Sequence, residues 1–125
     1  MSSKTEGQHT AEFLVSEAAG TRSRDKVTVT VPADTTFQAG SVLGKITSSG
    51  KYALYDNGFS DGREVAAAVL YDTHVNADPS NAADVEATVI NVDAEVRSAD
   101  LQWADELNDA TAGLADLLAL GIKAR

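Results

Sequence analysis

Two histidines, nineteen carboxylates and ten lysines and arginines are the groups in this 125-residue chain that could do acid–base or ligand chemistry. There is no cysteine, which removes thiolate nucleophiles, disulfides, zinc–cysteine sites and iron–sulfur clusters together. Serines are plentiful, but a serine nucleophile needs a base held within hydrogen-bond reach. His9 lies in a polar N-terminal stretch and His74 in a loop, so neither is positioned for that work. Asp72, His74, Asp78 and Asp84 fall within one loop region and could offer oxygen and imidazole ligands to a hard cation. The competing reading is that loop aspartates and asparagines make turns by bonding their own backbone. The stretch Asp56–Gly62 (DNGFSDG) looks like a calcium loop only superficially. With Gly62 at the sixth place of an EF-hand, Phe59 would stand at the third and Ala68 at the twelfth. Gly40-Ser41-Val42-Leu43-Gly44-Lys45 fails as a phosphate loop. It has three residues between the glycines, Ile46 after the lysine, and a strand where a helix N-terminus is required. Asp93 and Glu95 share a strand face and could form a hydrolytic carboxylate pair, although a solvated face explains them as well. Lys51 follows a Ser-Ser-Gly turn, where swinging-arm carrier domains present a lysine for biotin or lipoate. Its neighbours are Gly50 and Tyr52 instead of the usual acceptor context.

Length and composition bound what could position these groups. A chain of 125 residues is one domain's worth, with a single real core. The net charge of −9 opposes binding to nucleic acid and to anionic membranes. The longest apolar run, Val65–Tyr71, is far short of the roughly 18 residues that span a bilayer. Lys4 is not followed by an apolar segment of the secretory kind, so a soluble protein that folds in the cytoplasm is expected.

The elements are mostly strands. Residues 1–12 (MSSKTEGQHTAE) show no period and almost nothing to bury, and they read as a flexible arm. Phe13-Leu14-Val15 is a short apolar burst ending in the turn-like Glu17–Gly20. Lys26–Val31 alternates cleanly, with Val27, Val29 and Val31 on one face. Val42–Thr47 and Lys51–Tyr55 form a hairpin through Ser48-Ser49-Gly50. Glu64–Tyr71 has no polar face and reads as a buried strand. Asp72–Ala83 reads as irregular. Asp84–Val96 reads as strand whose parity changes, which predicts a β-bulge or sharp bend near Val89–Ile90. Leu107, Ala110, Leu114, Leu117, Leu118 and Gly121 keep helical spacing. Asp105 or Asn108 would cap the start, and Gly121 would sit at the left-handed C′ position. The expected fold is mainly β: a small single domain of about six or seven short strands with a C-terminal α-helix and a flexible arm. Residues 1–12 would form the arm and residues 13–125 the folded domain.

Several stretches carry a resemblance together: Phe13–Asp25 (FLVSEAAGTRSRD), Val42–Tyr52 (VLGKITSSGKY), Ser60–Asp72 (SDGREVAAAVLYD), Asp93-Ala94-Glu95-Val96 before Leu101-Gln102-Trp103, and Leu118–Ile122 (LALGI). In this order and spacing they resemble the lambda-type bacteriophage head decoration, or capsid-stabilising, protein family. The resemblance implies a structural virion protein without catalytic groups or cofactor. It implies a homotrimer on the outer surface of the phage head, at local three-fold sites of the expanded shell. There it would clamp the major capsid protein against the pressure of packaged DNA. It also implies an N-terminal arm that orders on the shell. The polar arm and the apolar burst suit addition of an extended segment to a partner's sheet edge. The capsid-binding set is expected to be Thr10, Ala11, Phe13, Leu14 and Val15, with His9 and Glu12 as polar partners. The alternatives are a carrier or ligand-binding β-domain using Lys51 and a small hydrolase using Asp93 and Glu95. An unmodified intact mass after expression with biotin or lipoate ligases would remove the carrier.

Overall fold

The computed structural model describes residues 13–17, 23–104 and 106–125. In them ten strands, a 3-10 turn at Ser98–Asp100 and an α-helix follow in order: β1 (Leu14–Glu17), β2 (Arg24–Val31), β3 (Thr35–Phe37), β4 (Val42–Lys45), β5 (Tyr52–Leu54), β6 (Ala66–Leu70), β7 (His74–Asn76), β8 (Ala83–Ile90), β9 (Ala94–Val96), the 3-10 turn, α1 (Glu106–Ala119) and β10 (Ile122–Ala124). The protein is mainly β, as its alternating sequence predicts. Strands β2-β5-β4-β6-β8 close a barrel, β1-β9-β10 form a separate three-stranded sheet, and β3 pairs with β7 in a ribbon.

The valine alternation builds the barrel wall. Val29 and Val31 are buried inside with Leu43, Ala68, Leu70, Ala87 and Val89, while Lys26 and Thr28 face water. β2 runs antiparallel to β8 over its whole length, from Arg24 opposite Ile90 to Val31 opposite Ala83. The Ser-Ser-Gly hairpin forms as expected: Ile46 N–H donates to Lys51 O at 2.8 Å, and Gly50 takes a positive φ of 74°. β6 is apolar throughout because it serves two cores. Ala68 and Leu70 enter the barrel, and Ala66 and Val69 enter a second core under α1. That second core also holds Phe13, Val42, Tyr55, Ile90, Val96, Leu117 and Ile122.

Four expectations change. Asp84–Val96 is two strands in two sheets. Ala87 and Val89 belong to the barrel, Ile90 to the second core, and Asp93 turns the chain with φ 49° before β9. The change of parity therefore marks a strand leaving one core for the other. The stretch 72–83 contains β7, whose Asn76 is buried and donates to Val31 O, Pro32 O and Asn81 O. The strand count exceeds six or seven because β3, β7 and β10 are three-residue strands, too short to show a period. The helix begins at Glu106, so Asn108 lies within it; Asp105, the other expected cap, is outside the described residues. Gly121 does take the C′ position, with φ 83° and its N–H on Leu118 O at 2.9 Å. Gly113 has a packing reason as well: a Cβ there would overlap the Trp103 ring.

Candidate functional site

The groups with chemical potential are spent on structure. Lys51 does follow its hairpin turn, but its Nζ is held by Asp84 Oδ2 at 2.6 Å, and Asp84 also accepts from Thr30 Oγ1 at 2.8 Å. These bonds, Lys51's first, hold the Asp84 carboxyl below the usual carboxylate range. Lys51 thus clips the hairpin to the barrel wall. Of the other loop candidates, His74 Nε2 lies 2.9 Å from Asp72 Oδ1. Asp78 accepts from the backbone N–H groups of Ser80 and Asn81, which is turn-making. Among the described residues no group of three or more histidines and carboxylates is placed to hold a metal ion.

The proposed carboxylate pair also separates. Asp93 sits in the turn before β9, whereas Glu95 is on the strand and accepts from Ser16 Oγ and Arg125 Nε, each at 2.9 Å. The Arg125 bond, then the Ser16 bond, holds the Glu95 carboxyl low. One further pattern escapes the reading of the sequence. Gly58-Phe59-Ser60-Asp61-Gly62 spells the Gly-x-Ser-x-Gly of a nucleophile elbow. That elbow needs a strand, a sharp turn and a helix. Here the pattern lies in the loop between β5 and β6, and the next element is a strand.

The three-stranded sheet lies where the described chain begins, at Phe13 and β1. Its central strand β9 pairs antiparallel with β1 and parallel with β10. Among the described residues, neither outer strand has a second neighbour in the sheet. Phe13, the last residue before β1, is fully buried in the second core, and its carbonyl accepts from Arg97 N–H at 2.7 Å. Leu14 is half-buried against the same core. Between Leu14 and Ser16 the pairing with β9 slips by one residue, so Val15 is a bulge, and it is 45% exposed.

The expected contact set is therefore divided. His9, Thr10, Ala11 and Glu12 lie outside the described residues. The Phe13 side chain is an anchor in the core and offers no surface. Leu14 offers part of one, and Val15 faces outward. What the reading of the sequence misses is the other edge. β10 follows directly on the helix, and Leu118, expected on its apolar face, is 61% exposed beside it. Three residues of alternation in Ile122-Lys123-Ala124 are too few to signal a strand.

A family model described as bacteriophage lambda head decoration protein D matches residues 3–122 of the chain. No curated protein matches it.

Proposed function

Because this chain belongs to the bacteriophage lambda head decoration protein D family, a family of structural capsid-associated proteins and not of enzymes, we propose that it binds as a homotrimer to the outside of the expanded phage head at local three-fold sites. There it stabilises the shell of major capsid protein against packaged DNA. The observation that carries this is the continuity of the family match through residues 3–122, across the boundary between the polar arm and the folded body. The arm's root supports the same reading. Phe13 is buried in the core and its carbonyl is bonded by Arg97 N–H, so the chain enters β1 from a fixed point at Phe13.

An arm of polar residues gains order only where a partner supplies backbone bonds, which makes attachment conditional on the correct shell surface. Three arms on one trimer would engage at high effective concentration. A protein that binds only the intact shell stabilises it by mass action, with no chemistry needed. The net charge of −9 suits a protein on the outer surface, away from the packaged nucleic acid.

The test is co-sedimentation of the full chain with empty shells of its cognate capsid protein, expanded and unexpanded. Saturable binding to expanded shells alone is expected. Equal binding to both would remove the maturation switch, and binding to neither would overturn the reading. A variant lacking residues 2–12 should remain a folded trimer and lose shell binding; full decoration by that variant would remove the arm's role.

A further inference from the structure

Of the five asparagines in the chain, Asn57 alone is followed by glycine. An asparagine in that position is open to attack by the next residue's backbone nitrogen, because glycine carries no Cβ to hold that nitrogen away from the side-chain amide. Asn57 and Gly58 form the tip of a turn in the loop between β5 and β6, closed by Phe59 N–H donating to Asp56 O at 3.2 Å. Both residues are exposed. Among the described residues a Cβ at Gly58 would meet only Asp56 Oδ1, at 3.3 Å, and its φ is not positive. Neither packing nor backbone conformation therefore requires glycine there.

The same turn positions a base. Gly58 N–H donates to Asp56 Oδ1 at 2.9 Å. This is the proton that must leave before the nitrogen can attack, and the carboxylate lies within the reach a general base needs. The other asparagines are placed differently. Asn76 is buried, and its amide nitrogen donates to Val31 O, Pro32 O and Asn81 O. Asn81 precedes Ala82, Asn91 precedes the β-branched Val92, and Asn108 lies within α1. Asp61 precedes Gly62 in the same loop, but Arg63 Nη2 holds its carboxylate at 3.0 Å and Gly62 N–H is committed to Glu64 Oε1 at 2.8 Å.

We propose that Asn57 is a self-modification site, converted to aspartate and isoaspartate with Asp56 as the general base. Asp56 takes the Gly58 amide proton, and the nitrogen bonds to Asn57 Cγ. The Cγ–Nδ2 bond breaks, and Asp56 returns the proton to the leaving nitrogen, which departs as ammonia. Water then opens the cyclic imide at either carbonyl, so the sequence consumes one water and needs no oxidant or cofactor. The product places a new carboxylate beside Asp56. Opening at the backbone carbonyl also adds a methylene to the main chain. It does so beside the Asn57 N–H, which donates to the buried Asp109 Oδ1 at 3.1 Å and ties the loop to α1.

The experiment is timed incubation of the full chain in warm neutral buffer, using wild type, Asp56→Ser and Gly58→Ala. Ion exchange follows the acidic product, and peptide mapping with an isoaspartate-specific methyltransferase locates it. A serine hydroxyl at 56 can still accept from Gly58 N–H, so circular dichroism should match wild type in both variants. Wild type is expected to accumulate an acidic species mapped to Asn57. A positioned base supplies about 10²–10⁴-fold, and for the half-buried Asp56 its loss should slow the reaction by roughly tenfold to a hundredfold. Gly58→Ala should slow it as well, because the added methyl hinders ring closure. No acidic species from wild type, or one mapped to another asparagine, would overturn the site. An undiminished rate in Asp56→Ser would overturn the base, and an undiminished rate in Gly58→Ala would overturn attack by the Gly58 nitrogen.

Discussion

Replacing Phe13 by alanine tests where the folded body begins. The ring is fully buried in the second core, together with Val96, Leu117 and Ile122. Removing a ring from such a site costs the lost burial plus the cavity left behind, about 3–5 kcal/mol. A domain of this size has roughly 5–15 kcal/mol of total stability, so the loss would be a large fraction of the whole. Val15, two residues on, is a bulge residue with 45% exposure. Its replacement by alanine should change stability by no more than about 0.5 kcal/mol. Urea unfolding followed by circular dichroism measures both, with the midpoint falling strongly for Phe13→Ala and hardly at all for Val15→Ala. The reasoning also fixes what should happen to the slope: it stays the same if the variant unfolds as one unit. A loss below about 1 kcal/mol for Phe13→Ala would refute the anchor and place the start of the folded body after Phe13.

Three further outcomes follow from the packing and the ion pairs. Gly113→Ala gains about 1 kcal/mol of helix propensity, yet it forces a Cβ into the Trp103 ring and close to Tyr55. The net effect should be destabilising by about 1–3 kcal/mol, and a raised Tm would show that the ring has room to move. The Tyr55 hydroxyl is buried with no hydrogen-bond partner among the described residues, so Tyr55→Phe should be neutral or stabilising by up to about 1 kcal/mol; a clear drop in Tm would reveal a bonded hydroxyl. Glu95, Asp61, Asp78 and Asp84 are held below the usual carboxylate range, first by bonds from Arg125, Arg63, the Ser80 N–H and Lys51 respectively. Depressed carboxylates bind fewer protons in the folded than in the unfolded state. Their stabilisation is therefore complete above the ordinary range and is lost as pH falls below about 4. Tm should decline across that window and decline less in Glu95→Gln, while a Tm independent of pH there would contradict the pairing.

How much of this was legible depended on whether a residue's environment repeats along the chain. Val27, Val29 and Val31 alternate over enough positions to reveal both a strand and its buried face, and the structure places them accordingly. Val65–Tyr71 showed burial on both faces, but not that the two faces belong to different cores. Ile90 gave a parity change with two meanings, a bulge or a sharp bend, and only the tertiary pairing shows that the chain bends away to another sheet. Leu118 kept the helical period and still lies exposed, because a period marks a stripe and says nothing of where the stripe's cover ends. The site was legible only in part. Phe13-Leu14-Val15 was visible as an apolar burst, yet the division of its three side chains between core and surface depends on β9, some 80 positions away along the chain. Lys51 and Asp84 could not be paired from sequence for the same reason: 33 positions separate them.

That separation governs when the protein becomes competent. Ser16 meets Glu95 across 79 positions, and the parallel partner of β9 lies at Ile122–Ala124. Pairings this distant in sequence form late and slowly, because the loop must close before the contact stabilises it. During synthesis at about 5–20 residues per second, Phe13 and β1 leave the ribosome well before β9 and β10, the strands that complete their sheet. Until β9 has been made, Phe13 and β1 have no sheet to join, so the start of the folded body takes its place only after most of the domain exists.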